Sequence, residues 1–158
     1  MTRPTKRPTS AAPLFQTTRR VEFRDTDAAG IMHFSAFFNL MEQVEHEFFR
    51  HLGMSVLTRD DEGAISWPRV SASCDYQSAA RFEDVLDVAL QIVRRGEKSV
   101  TYGFVFSHAD RPVATGQLTT VCCRLDSAAP PRSIPIPDWI VDKFEGRTKR
   151  KPPRAKRC

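Results

Sequence analysis

No stretch of this sequence approaches the ~20 consecutive apolar residues needed to cross a bilayer, which excludes a membrane-spanning helix. The first twelve residues are rich in Thr, Pro, Lys and Arg, and no apolar segment follows them. A signal peptide is therefore not expected, and the cytoplasm is the default location. Cysteine is scarce: Cys74, Cys122, Cys123 and Cys158 stand at no spacing that resembles a zinc site. No metal and no redox cofactor is expected. Cys74 and at least one of the adjacent pair read as small buried apolar residues. If Cys122 and Cys123 lie on a strand, they point to opposite faces. Cys158 has no deducible role, and no internal repeat is present.

Acidic residues are missing from Gly146 onward, where Arg147, Lys149, Arg150, Lys151, Arg154, Lys156 and Arg157 stand unopposed. Arg3, Lys6 and Arg7 add to the basic excess at the other end. Setting these ten aside leaves 14 of the 24 Lys and Arg against 19 Asp and Glu. The formal charge of +5 thus conceals a folded body of about −5. A nucleic-acid-binding domain more often carries its charge on a folded face, so nucleic acid is not the expected partner. The C-terminal run reads as a solubilising tail with weak non-specific attraction to acidic surfaces.

With 158 residues, 41% of them hydrophobic, the chain suits one globular domain with a single sizeable core. Residues 1–13 read as a disordered polar arm, 14–145 as the folded domain and 146–158 as a disordered basic tail. From Leu14 to Arg24 the residues alternate, with Val21 and Phe23 the clearest half-buried strand end and Arg19 and Arg20 weaker. From Ser35 to Leu52, Phe37, Leu40, Met41, Val44, Phe48 and Leu52 recur at helical spacing, and Phe38 and Phe49 widen the stripe. Ser35 suits an N-cap and Gly53 a stop. Glu42, Glu45, Glu47 and Arg50 take the helix surface, where His46 and His51 are also structural or solvent-facing.

Arg59 to Gly63 is a charged turn. Strand character follows over Ile65–Tyr76 (Val70, Ala72, Cys74 and Tyr76 on one face), Val85–Val93, Val100–Phe106 and Val113–Leu125. The last has Val113, Thr115, Val121, Cys123 and Leu125 in phase. Short turns join the last three strands into an antiparallel meander. Pro130–Pro137 is a connector, and Pro137–Phe144 a short final helix. The order is α+β: an antiparallel sheet of about five strands round one long central helix.

Between the first strand and the helix lies Val21-Glu22-Phe23-Arg24-Asp25-Thr26-Asp27-Ala28-Ala29-Gly30-Ile31-Met32-His33-Phe34. A carboxylate beside the amides that open a helix is a place for chemistry on a carbonyl. Asp25 and Asp27 project to opposite sides of an extended chain, so they do not share a proton, and Asp25 reads as a turn former.

The run Arg24–Ile31, with the element order, resembles the hotdog-fold acyl-CoA thioesterases of the 4-hydroxybenzoyl-CoA thioesterase type, including the group linked to the Tol-Pal system. Their motif is an acidic pair one residue apart, then small residues and a glycine, then an aromatic-rich helix. The resemblance covers about Val21 to Leu125. It implies that Asp27 is the catalytic carboxylate, as nucleophile on the thioester carbon or as the base that activates water. It also implies that backbone amides between Gly30 and Phe34 polarise the carbonyl, with an acyl-CoA as substrate and a homodimer or dimer of dimers as the assembly. The turn carrying Arg94, Arg95, Lys98 and Ser99 resembles the family's contact to the coenzyme A phosphates, although Gly96 and Glu97 interrupt it. His33 stands where relatives often have an aromatic residue, and is a possible substrate contact. Some members use a helix carboxylate, a role Glu42 or Glu45 would take only in place of Asp27. Two alternatives stay open: a hotdog dehydratase on acyl-carrier-protein thioesters, and a non-catalytic acyl-CoA-binding or interaction module. Phe34, Phe37, Phe38, Met41 and Trp67 supply apolar surface for an acyl pocket or for the core.

Overall fold

A computed structural model describes residues 12–147. The expectations for most of both tails and for Cys158 fall outside the described residues. Among the described residues, nine strands form two antiparallel sheets. The first contains β1 (Phe15–Arg20), β4 (Arg69–Tyr76), β5 (Val85–Arg95), β6 (Ser99–His108) and β7 (Arg111–Val121), in the order β1-β5-β6-β7-β4. The second contains β2 (Thr58–Asp60), β3 (Gly63–Ser66), β8 (Cys123–Asp126) and β9 (Ala129–Ser133), in that order. Two helices complete the fold: α1 (Ala36–His51) and the short α2 (Asp138–Phe144). The coarse expectation of an antiparallel sheet with a helix holds, and so does the β5-β6-β7 meander. The single long helix does not: α1 has 16 residues, α2 joins it, and a second sheet is present.

The α1 stripe buries Phe37, Leu40, Met41, Val44, Phe48 and Phe49 against the five-stranded sheet. Phe37 meets Phe106 edge-on at 5.4 Å, and Phe48 meets Tyr102 at 6.4 Å. Gly53, at φ +71, ends the helix in the left-handed conformation that glycine tolerates. Lys143 of α2 donates to the Leu52 carbonyl at 2.9 Å, so the second helix caps the first.

Several expectations need correction. The first strand is Phe15–Arg20, which keeps the weaker Arg19 and Arg20 and leaves out the expected Val21–Phe23 end. Val21 leaves the strand buried, and Phe23 opens a 3-10 turn with its ring 79% exposed. The cause is local: the Asp25 carboxylate accepts from the Glu22 N–H at 2.9 Å and tightens the chain. The Ile65–Tyr76 segment breaks at Trp67-Pro68 into β3 and β4, which belong to different sheets. In β4, Val70, Ala72 and Tyr76 are exposed and Cys74 is only half-buried, while Cys122 and Cys123 are both buried. The Val113–Leu125 segment breaks at Cys122, and the run of alternate core residues in β7 is Ala114, Gly116, Leu118 and Thr120, one residue out of phase with the expected set. Gly116 is the reason the phase is hard to read: a Cβ there would collide with the Met41 sulfur. Pro130 and Pro131 lie within β9 rather than in a connector, on a sheet edge where a missing N–H is tolerated.

Glu45, expected on the helix surface, is fully buried. One carboxylate oxygen accepts from Arg69 Nη2 at 2.6 Å. The other has no partner among the described residues, as is also true of the buried Tyr102 and Thr120 hydroxyls.

Candidate active site

The turn between β1 and α1 folds back on itself. Thr26 and Met32 form an antiparallel bridge, the Asp27 N–H donates to the Ile31 carbonyl at 2.9 Å, and the His33 N–H donates to the Asp25 carbonyl at 2.7 Å. Asp25–Asp27 therefore runs beside Ile31–His33, which brings Asp27 close to the helix entrance. Met32 donates to the Ala80 carbonyl at 2.7 Å, pinning this turn to the β4–β5 loop.

Asp27 is half-buried, and its Oδ1 accepts from the Ala29 N–H at 2.8 Å. Its Oδ2 has no partner among the described residues. The side chain opens into a depression of about 480 Å³ lined by Phe23, Thr26, Asp27, Ala28, Gly30 and Phe82. Asp25 has the structural role: its carboxylate closes the 3-10 turn through the Glu22 N–H.

The two amides singled out in the sequence differ. The Gly30 N–H donates to the Asp27 carbonyl at 3.0 Å, so it is spent on closing the turn. The Phe34 N–H has no acceptor among the described residues. The Phe34 carbonyl accepts from the Tyr76 hydroxyl at 2.8 Å, which ties the start of α1 to the far end of β4. Burial pushes the Tyr76 phenol up to about 12, and the neighbouring Cys74 adds to the shift. The group therefore stays a donor at neutral pH.

Ser35 occupies the N-cap, but its side chain makes no cap bond. Its hydroxyl meets His33 Nδ1 at 2.7 Å, and its N–H donates to the same nitrogen at 3.2 Å. An Nδ1 that accepts from a backbone N–H carries no proton, which places the proton of a neutral ring on Nε2. The His33 ring also packs on Phe34 at 4.4 Å. His33 thus takes over part of the capping work.

Arg94, Arg95, Lys98 and Ser99 do not join this group. Asp27 sits at the end of the sheet where β5 begins, since Arg20 pairs with Val85. Arg94 and Arg95 close the opposite end of the same strand, about 30 Å away at ~3.3 Å per residue. Arg95 pairs with Glu145 at 2.9 Å, and Lys98 is exposed. Among the described residues no cluster of three or more His, Cys, Asp or Glu can hold a metal ion. No helix among them is long and apolar enough to cross a membrane.

Phe82 and Tyr76 belong to the site without a clear signal in the sequence. Phe82 stands alone in Ala-Arg-Phe-Glu-Asp, an aromatic residue in a polar loop with no apolar partner in phase. Such isolation is itself the available signal, since a lone exposed ring has no role in a core.

An open pocket thus holds a carboxylate beside a helix entrance, on this pair of antiparallel sheets. The chain belongs to the Thioesterase-like superfamily, which matches residues 21–144 and has the hotdog fold. It is 31% identical over 129 residues to a 1,4-dihydroxy-2-naphthoyl-CoA hydrolase of Synechococcus elongatus, covering 81% of this chain and 93% of that one. A solved gentisyl-coenzyme A thioesterase is 26% identical with a TM-score of 0.70, covering 82% of this chain and 99% of that one. A 4-hydroxybenzoyl CoA thioesterase mutant in complex with 4-hydroxybenzoyl CoA is 18% identical with a TM-score of 0.71, over 82% and 97% of the two chains. That last likeness concerns the fold alone.

Proposed function

We propose that the chain is an acyl-CoA thioesterase that cleaves an acyl thioester with water to a carboxylic acid and free coenzyme A. The observation that carries this reading is Asp27: one oxygen is held by the Ala29 amide, and the residue lines an open pocket. The thioester carbonyl oxygen would accept from the unpaired Phe34 N–H, helped by the positive end of the α1 dipole. As nucleophile, Asp27 attacks the carbonyl carbon and expels the thiolate, and water then hydrolyses the mixed anhydride. As base, it takes a proton from water while the water oxygen attacks, and that proton passes to the departing sulfur. A thiolate leaves with little acid assistance, so a single carboxylate suffices in either route. No bound cofactor enters the reading. His33 Nδ1 is occupied at the helix start, which lends no support to a dehydratase.

The proposed assembly is a homodimer or a dimer of dimers. Strand β4 supports it: among the described residues it pairs only with β7, which leaves its other edge unpaired among them, and Val70 on it is 63% exposed. The partner's basic turn would then supply the phosphate contacts that Arg94, Arg95, Lys98 and Ser99 cannot make to Asp27 within one chain.

The test is free-thiol release from a panel of acyl-CoAs, for wild type and Asp27→Asn. Hydrolysis by wild type and a fall of about 10²–10⁴-fold in kcat for the variant are expected. Full activity in Asp27→Asn would overturn the assigned chemistry. Coenzyme A binding without turnover of any thioester would make the chain a binding module.

A further inference from the structure

The Phe34 N–H belongs to the peptide that joins His33 to Phe34, and the groups around that peptide are engaged. The His33 carbonyl accepts from the Ala36 N–H at 3.0 Å, and the His33 N–H donates to the Asp25 carbonyl at 2.7 Å. The Ser35 N–H donates to His33 Nδ1 at 3.2 Å, and the Ser35 hydroxyl donates to the same nitrogen at 2.7 Å. From His33 to Ala36, the Phe34 N–H alone has no acceptor among the described residues. We propose that His33 is a positioning residue: its ring caps this turn and so aims the Phe34 N–H at the thioester carbonyl oxygen.

A side chain that accepts from the N–H two residues ahead is how Asn, Asp and Ser start a helix. Imidazole Nδ1 is bonded to Cγ, as the oxygen of an Asn side chain is, so it reaches the same point. Ser35 is already helical, at φ −73 and ψ −21, and its own side chain makes no cap bond to α1. It turns its hydroxyl to the ring instead, which adds a second donor to the one acceptor. The tight turn ahead of α1 is therefore closed by His33 from both its carbonyl and its ring.

A trans peptide sets its N–H and its C=O in opposite directions. With the His33 carbonyl drawn into the turn by Ala36, the Phe34 N–H is turned out of it. The imidazole also packs on the Phe34 ring, with centroids 4.4 Å apart and planes at 33°, so the side chains on the two sides of this peptide brace one another. Tyr76 holds the next peptide through the Phe34 carbonyl at 2.8 Å. A hydrocarbon ring at position 33 would keep the packing and lose the cap, and an amide would keep the cap and lose the packing. The imidazole supplies both, and it does so without placing a negative charge beside the oxygen that gains charge in the reaction.

This assignment rests on the reading of Phe34 as the polarising amide of a thioesterase, and two readouts separate the two. Thiol release from the fastest thioester of the acyl-CoA panel and a melting curve are measured for wild type, His33→Asn, His33→Phe and His33→Asp. His33→Asn keeps the cap and is expected to hold kcat within about twofold of wild type. His33→Phe is expected to lose about fivefold in kcat with KM within about twofold. His33→Asp restores the cap and suits the helix start, so it should melt no lower than wild type, yet its charge should cost about tenfold in kcat. Unchanged kcat in His33→Phe overturns the proposal even with Asp27-dependent hydrolysis intact. So does a kcat that follows melting temperature across the three variants, which would leave His33 a purely structural cap. The second readout needs no turnover: the proton–nitrogen dipolar coupling of the Phe34 amide in a weakly aligned sample reports the direction of that N–H. A coupling kept in His33→Asn and altered in His33→Phe supports the proposal, and one kept in both overturns it. If wild type hydrolyses no thioester of the panel, the hydrolase reading fails by itself, and the coupling still decides whether His33 aims this amide.

Discussion

Glu45 places a carboxylate where no water reaches it, with the guanidinium of Arg69 as its one hydrogen-bond partner among the described residues. Burial pushes its acid up to about 7; Arg69 pulls the other way, and the neighbouring Glu42 adds to the rise. The sign follows from proton counting. Between the unfolded value of 4.5 and about 7, the folded chain binds more protons than the unfolded one. The contribution to stability is therefore full below 4.5 and is lost as pH rises through about 7. Glu45→Gln cannot ionise, so its urea midpoint is expected to vary less than wild type's across this window, by an amount of order 1–3 kcal/mol. Parallel pH profiles for the two proteins would show that Glu45 is ionised throughout. At Gly116 the expected effect is steric: Gly116→Ala drives a methyl group into Met41 and should cost about 1–3 kcal/mol in a denaturation curve.

At the scale of elements, β4 and α1 meet through the Tyr76 hydroxyl. Tyr76→Phe keeps the ring against Phe37 and deletes the bond to the Phe34 carbonyl. If this tether aims the Phe34 peptide, kcat should fall about fivefold with little change in KM and none in melting temperature. A loss confined to stability would reduce Tyr76 to a packing residue. The same elements show what a sequence can reveal. Helix α1 was legible because its buried residues are large and regularly spaced. The β7 phase was not, because the helix crosses so close that the sheet must offer Gly116 and small neighbours, and small residues leave no hydrophobic pattern. The β4 face was misleading in another way: its apolar residues look inward-facing but have no core beneath them in a single chain. The turn at Asp27 was legible by its motif. Its spent Gly30 amide and the contact of Phe23 with Phe82 depend on hydrogen bonds that spacing along the chain does not record.

For the whole molecule, the length of β5, about 30 Å at ~3.3 Å per residue, lies between the sheet end that carries the Asp27 turn and the end that carries the basic turn. The proposed homodimer would bring Asp27 of one chain and the basic turn of its partner to one thioester. Complementation tests this. Asp27→Asn and a chain with Arg94, Arg95 and Lys98 all changed to Ala are each expected to be weak alone. Unfolded together and refolded as mixed dimers, they should recover about a quarter of the wild-type sites. No recovery would mean that the two features never serve one substrate. The KM of wild type should rise with salt if exposed Arg94 and Lys98 meet phosphates, with kcat little changed.

Phe144 stacks on Phe48 at 6.2 Å and abuts Phe49 and Trp67, while its neighbour Lys143 closes the end of α1. This aromatic cluster joins α1 to α2, which is made long after it. During synthesis, α1 leaves the ribosome long before its covering arrives, and β1 must wait for β5. The nascent chain thus carries an open greasy face until α2 has been made. Folding therefore waits on α2, and a chain truncated before it is expected to suit chaperone capture rather than form a smaller stable domain.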